Sequence, residues 1–176
     1  SRGAFVSLEG RSMKGLDKLA NDFHAYEASV ALYHSFHPSG NLVFAGRIGG
    51  GRTFGSPEFY QAQVLSGRTD LRGFRKTRFY GDRKMYTNLE VRAKLFSVRT
   101  YLFPASVGIL GFHDIGRVWY EDEIGIDPSA GGISDKWHKG WGGGIWFTPF
   151  NLAVLSVEAG HSEEGTLGYI RLGFLF

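Results

Sequence analysis

The chain of 176 residues contains no cysteine. That excludes disulfides, thiolate zinc sites, iron–sulfur ligation and cysteine nucleophiles together. It leaves the compartment open, because a cysteine-free chain tolerates oxidising and reducing surroundings alike. No apolar run reaches the roughly 18 residues of a transmembrane helix. Helical periodicity is nearly missing: only Lys14 to Asp22 suits about two turns, and Gly15 weakens them. Charge of one sign is scarce too. The net charge is +3, and the basic residues are scattered, so nucleic-acid binding has little support. The opening Ser1-Arg2-Gly3-Ala4-Phe5 lacks the apolar core of a signal peptide. The chain is therefore expected to be mature, processed or cut from something longer.

What is abundant is glycine, 26 residues, and aromatic side chains, 15%. The dominant period is two, the spacing of strands. Ile170, Leu172, Phe174 and Phe176 fall on one face of the last segment, with Tyr169, Arg171 and Gly173 on the other. Ala153, Leu155, Val157 and Ala159 oppose Ser156, Glu158 and Gly160. Leu89, Val91, Ala93 and Leu95 oppose Asn88, Glu90, Arg92 and Lys94. Weaker alternation covers 4–9, 26–32, 42–49, 59–65 and 140–148, where Ile145 and Phe147 oppose Gly140, Gly142 and Gly144. Residues 105–119 begin apolar on both faces. The sum is about nine strands at regular spacing, an all-β chain.

Alternation alone does not say which face meets water. A soluble barrel keeps apolar side chains inside, and an outer-membrane barrel turns them to lipid. Charged mid-strand residues (Glu90, Arg92, Lys94, Arg171) suit a wet lumen and a solvent face equally. Aromatics near strand ends (Tyr101, Phe103, Trp119, Tyr120, Trp137, Trp141, Phe147, Phe150) resemble an interfacial girdle. With the C-terminus at the periplasm, 97–104 and 148–151 become short inner turns, and 66–85, 120–136 and 161–168 become outer loops. The short outer turn at 38–41 and the longer inner 14–22 go against that rule.

Leu71-Arg72-Gly73-Phe74, then Arg75 to Asp82, then Asn88-Leu89-Glu90-Val91-Arg92 resembles the BamA/TamA-like bacterial surface-antigen superfamily. Gly111-Phe112-His113-Asp114-Ile115-Gly116 matches a second motif of that family, in the right order and spacing. The terminal strand Ile170, Leu172, Phe174 and Phe176 resembles the C-terminal recognition signal of outer-membrane barrels. The resemblance implies an antiparallel transmembrane β-barrel, integral to the outer membrane of Gram-negative bacteria, with its C-terminus facing the periplasm. Family barrels have sixteen strands, so about nine here imply the C-terminal half, unless one segment is not a wall strand and eight close alone. The missing strands would come from the same longer chain or a second chain. Residues 1–176 would form one barrel domain, with loop 66–85 folded inward.

That resemblance also assigns roles. Arg72 at the loop tip would pair with Asp114 on the inner wall; Glu90, on the polar face, is a second acceptor. A planar guanidinium suits such bidentate pairing. Gly73 would allow a tight tip or close packing, and Phe74 would pack beside the wall. The expected function is outer-membrane protein insertion and assembly, or protein translocation. Its partners are membrane lipid and client barrel proteins or a secreted passenger. The alternative is an anchor or display barrel for an upstream phosphoesterase or patatin-like lipase domain. A soluble β-barrel binding protein is more distant.

Other constellations carry little. Only His34 and His37, among six histidines, are closely spaced, and no acidic helper adjoins them, so no metal site is expected. Gly49-Gly50-Gly51 and Gly142-Gly143-Gly144 open no helix and precede no Gly-Lys-Ser/Thr, so no nucleotide or other cofactor is expected. Glycines in strands more often mark bends or close packing. Glu121-Asp122-Glu123 and Glu163-Glu164 read as loop charge. No Gly-x-Ser-x-Gly elbow occurs, so the chain itself is not expected to be an enzyme.

Overall fold

The computed structural model describes residues 2–14, 22–36, 41–55, 61–99, 104–120, 134, 136–150 and 152–174. Eight strands form one antiparallel sheet: β1 (Arg2–Met13), β2 (Phe23–Ser35), β3 (Leu42–Gly55), β6 (Arg83–Arg99), β7 (Pro104–Trp119), β8 (His138–Pro149), β9 (Ala153–Ser162) and β10 (Gly165–Phe174). They lie side by side in chain order, a pure meander, and β1 and β10 are its open edges. The chain is all-β and antiparallel, and the sheet is not closed into a barrel.

The remaining two strands, β4 (Gln63–Leu65) and β5 (Phe79–Gly81), pair only with each other. This corrects the strand count. The segment 59–65 alternates, but its described part is not a wall strand. It is one arm of a small hairpin inside the connection from β3 to β6. Gln63 is buried there and donates to Thr53 Oγ1 at 3.1 Å. Local alternation reports that a segment has two unlike faces; it does not report the strand that it pairs with.

Removing one wall strand inverts the direction of everything before it. Connections 36–41, 100–103 and 150–152 now share one end of the sheet, and 14–22, 56–82 and 120–137 share the other. The two joins that went against the short-and-long rule therefore exchange ends and obey it. The β9–β10 join becomes the exception. It is a tight hairpin, with Ser162 opposite Gly165 and Gly165 at φ 118°, not the loop expected over 161–168. Likewise Arg83–Met85 belong to β6 and not to the preceding loop. The helical reading of 14–22, the turn at Pro38, the aromatics Tyr101 and Phe103, the acidic run Glu121–Glu123 and the terminal Phe176 lie outside the described residues, apart from Lys14 and Asp22 at the ends of the first.

The two faces of the sheet differ sharply. On one lie Glu27, Arg47, Asn88, Glu90, Asp114, Glu158 and Arg171, together with the connection 61–82. On the other lie Leu8, Val30, Ile48, Leu89, Ile109, Ile145, Val157 and Ile170, all exposed; Leu8 is 80% and Ile170 72% accessible. The buried core lies between sheet and loop, where Leu65, Leu71, Phe74, Phe79, Tyr86 and Val118 cluster. This core is small because the loop is the sheet's only cover among the described residues.

The sheet also curls. In a flat sheet β3 and β10 would lie roughly five strand spacings apart, about 24 Å. Yet Arg47 on β3 donates to the Thr69 carbonyl, and Arg171 on β10 donates to the neighbouring Arg68 carbonyl at 3.0 Å. Two adjacent loop residues are thus gripped from strands far apart in the sheet order. The wall wraps around its own loop while its edges stay unpaired.

Candidate functional site

The loop tip is built by backbone geometry first. Gly73 sits at φ 101°, a region that side chains rarely adopt. Its N–H donates to Tyr169 Oη at 2.7 Å, and its carbonyl accepts from Ser162 Oγ at 2.7 Å. Tyr169 Oη also donates to the Phe74 carbonyl at 3.3 Å. The tip is therefore held by β9 and β10 through main-chain groups. Tyr169→Phe would leave a half-buried N–H without its acceptor, and should cost about 1–3 kcal/mol. Urea unfolding of the paired variants would read that loss.

Arg72 is 3% accessible and reaches three strands. Its backbone N–H and its Nε–H both donate to Asp114 Oδ2, at 3.0 and 2.7 Å, and Nη2 donates to Oδ1 at 2.8 Å. Asp114, fully buried on β7, is thus gripped by the guanidinium fork and the main chain together. Nη1 donates to Glu90 on β6 and lies 3.4 Å from Glu158 Oε2 on β9. The guanidinium plane sits 3.6 Å from the Phe112 ring centre, a cation–π contact that closes its open face.

Charge balances around this point. Arg92 pairs with Glu90, and Arg171 Nε lies 3.7 Å from Glu158 Oε2. Three carboxylates therefore face three guanidiniums. Burial works against the charge of Arg72, but the hydrogen bonds and fields of Asp114 and Glu90 outweigh it. Its pKa lies above the ordinary arginine value. Arg72 is a fixed cation at any pH at which the protein folds.

Between β7 and β9 runs β8, which faces the loop with glycine. A Cβ added at Gly140 would overlap the Arg72 carbonyl oxygen, and one at Gly160 would lie 2.9 Å from the Gly73 nitrogen. These positions let the loop backbone touch the wall. Phe74 then enters the core, edge-on to Phe79 at 5.2 Å, and Phe79 stacks on His138 at 3.9 Å. His138 Nδ1 is 2.6 Å from Glu163 Oε1. Upstream, Asp70 binds the Ser66 N–H at 3.1 Å and pairs with Arg47 at 3.2 Å, while Asn88 Nδ2 donates to the Asp70 carbonyl at 2.8 Å.

The structure therefore brings together Leu71, Arg72, Gly73 and Phe74 with Glu90, Phe112 and Asp114. Gly111, next to Phe112 on β7, faces the opposite side of the sheet. Gly116 lies on the loop side, where a Cβ would press on Leu65. Ile170 and Leu172 lie on the exposed face, the side opposite the one that holds the loop. Arg75 and Lys76 are exposed, and Arg78 pairs with Glu164. Sequence reasoning missed Glu158, Ser162 and Tyr169 as loop partners. Alternation had put Glu158 and Tyr169 on the polar face, but nothing in it placed them opposite residue 72. Among the described residues no cluster of His, Asp and Glu suited to a metal occurs.

No family model and no curated protein sequence matches the chain. Fold and site alone define the class: an antiparallel meander sheet that clamps its own long connection through a buried arginine and leaves its other face apolar and exposed.

Proposed function

We propose that the chain is the C-terminal part of an outer-membrane β-barrel of the BamA/TamA-like superfamily, acting in outer-membrane protein insertion or translocation. The observation that carries this reading is the exposed apolar face, continuous across eight strands, behind a polar face filled by a clamped loop. A soluble sheet would turn the apolar face inward.

The dimensions support the same reading. Phe36 and Phe44 pack at one end of the exposed face, with ring centres 4.9 Å apart; Tyr26 and Phe54 pack at the other, at 6.2 Å. At about 3.3 Å per residue and a tilt of about 40°, Phe44 and Phe54 stand about 25 Å apart along a membrane normal, the height of a barrel's apolar band. Trp141 joins the belt at the loop end and Phe150 lies at the opposite end, both exposed. The clamped loop would brace the wall from the lumen. The open edges β1 and β10 offer unpaired backbone to further strands, either those completing the barrel or an incoming client. Those edges favour insertion over the anchor reading, in which a barrel need only close.

Flotation with phosphatidylcholine vesicles tests the membrane part, and the folding rate of a small client barrel into the same vesicles tests the activity. The expected result is co-flotation, resistance to alkaline extraction and faster client folding than in empty vesicles. A monodisperse chain in detergent-free buffer overturns the membrane reading. Flotation without acceleration favours the anchor.

A further inference from the structure

Three side chains from separate segments meet at the loop end of the sheet. Ser134 lies in the connection from β7 to β8, His138 is the first residue of β8, and Glu163 sits in the β9–β10 turn. Trp141 opposes His161 across β8 and β9, and this register brings the turn beside the start of β8. There His138 Nε2 is 2.7 Å from Ser134 Oγ, and His138 Nδ1 is 2.6 Å from Glu163 Oε1.

The order of the atoms decides what this arrangement can do. A carboxylate only accepts, so Glu163 takes a hydrogen bond from Nδ1–H and fixes the tautomer. When the ring is neutral, Nε2 is then the acceptor, and the Ser134 hydroxyl donates to it. A serine whose proton is held by an imidazole, itself oriented by a carboxylate, is an activated nucleophile. A Gly-x-Ser-x-Gly elbow presents its serine from a single turn. Here the groups are assembled from separate segments, so no local motif marks them.

Packing supports the same use. Phe79 stacks on the His138 ring at 3.9 Å, and Phe74 meets it edge-on at 5.6 Å. His138 is buried, Ser134 half-buried and Glu163 exposed. The base is therefore shielded and rigid, and the nucleophile stays within reach of a solute. The Lys136 N–H donates to Ser134 Oγ at 3.4 Å, which puts a main-chain donor beside the point where an oxyanion would form.

We propose that Ser134, His138 and Glu163 form an acyl-transfer triad that hydrolyses a carboxylic ester. Ser134 Oγ bonds to the carbonyl carbon as its proton passes to His138 Nε2. The bond from that carbon to the alcohol oxygen then breaks, and Nε2 returns the proton to the departing oxygen. Water repeats the sequence on the acyl-serine. It gives a proton to Nε2 as its oxygen bonds to the carbonyl carbon, the bond to Oγ breaks, and the proton returns to Oγ. Glu163 touches no reacting atom and is a positioning residue.

The test uses the full chain in neutral maltoside micelles with three probes: a fluorophosphonate, which bonds to an activated serine; p-nitrophenyl butyrate, a soluble ester; and dioctanoyl phosphatidylcholine, a lipid ester. Peptide mass spectrometry should find the fluorophosphonate on Ser134. Preferred turnover of the lipid assigns an ester drawn from the membrane, and turnover of the butyrate alone assigns a soluble one. Ser134→Ala should abolish the label and lower kcat/KM about a hundredfold or more. Glu163→Gln should lower kcat about tenfold or more with KM little changed, because the amide can donate to Nδ1 and impose the wrong tautomer. Glu163→Asp should recover part of the loss. A mere brace between connection and hairpin would not move kcat at constant KM. Trypsin protection at Arg75 and Lys76 should stay at the wild-type level in these variants, which separates lost chemistry from a loosened fold. Wild-type protein left unlabelled at Ser134 overturns the triad, as does turnover of neither ester or turnover unchanged in Ser134→Ala. Flotation with neutral vesicles reads the membrane assignment independently. A labelled chain that does not float keeps the triad and loses the membrane, and a floating chain without label does the reverse.

Discussion

Arg72→Ala is expected to release the loop and cost about 3–5 kcal/mol, the usual penalty for breaking a buried ion pair from one side. The variant removes the only cation among the described residues that pairs with both Asp114 and Glu90, and leaves Asp114 buried without its guanidinium partner. Glu158 loses its closest cation as well and, among the described residues, keeps Arg171 at 3.7 Å. Trypsin reads the outcome directly, since Arg75 and Lys76 are exposed beside the clamp. Cleavage there should accelerate sharply in the variant. Arg72→Lys should fall between the two, because an ammonium keeps the charge and loses the fork that grips both Asp114 oxygens. Asp114→Ala should match Arg72→Ala. The double variant should cost less than the sum, since each change removes the same contact. Unchanged loop cleavage and unchanged unfolding in Arg72→Ala would reduce Arg72 to an incidental cation.

The second large effect is expected at a residue with no side chain. Gly140→Val should expel the loop as effectively as Arg72→Ala, with every charged group still in place. A Cβ at this position would occupy the site of the Arg72 carbonyl oxygen. Backbone cannot yield as a flexible side chain can, so the loop must lift and the Asp114 pairing must stretch. The expected cost is again about 3 kcal/mol or more by overpacking and lost pairing together. Gly168→Ala is the control, because an added Cβ there meets nothing within 4 Å. Loop protection against trypsin should survive the control and fail in Gly140→Val. A variant that keeps full protection would show that the loop does not lie on β8.

Much of this was legible in the sequence, and the part that was not has a physical reason. Alternation along β6, β9 and β10 assigned Leu89, Val157 and Ile170 to one face and Glu90, Glu158 and Tyr169 to the other, because side-chain direction along a strand is fixed by the pleat. The glycine-rich face of β8 was legible as close packing, since a strand gives up side chains only where something replaces them. Pairing was not legible. Residues 59–65 alternate like a wall strand, yet Gln63, Val64 and Leu65 bond to Gly81, Tyr80 and Phe79. That single misplacement reversed the direction assigned to β1, β2 and β3. Glu158 shows the same limit at the site. It meets Arg72 only because β8 between them carries glycines and the wall curls, a distance that no local pattern encodes.

The lack of cysteine opens the most direct test of the central claim, that the face bearing Leu89 and Val91 meets lipid while the face bearing Asn88 and Glu90 holds the loop. Single cysteines placed in turn from Thr87 to Ala93 can each carry a spin label, with no background thiol to remove. In vesicle-reconstituted protein, the collision rate with membrane-dissolved oxygen, set against that with a water-soluble nickel chelate, reports which side chains lie in lipid. A lipid-facing side predicts high oxygen and low nickel accessibility at 87, 89, 91 and 93, and low oxygen accessibility at 88 and 90. Nickel accessibility at 89 and 91 equal to that of a water-exposed side chain would contradict it.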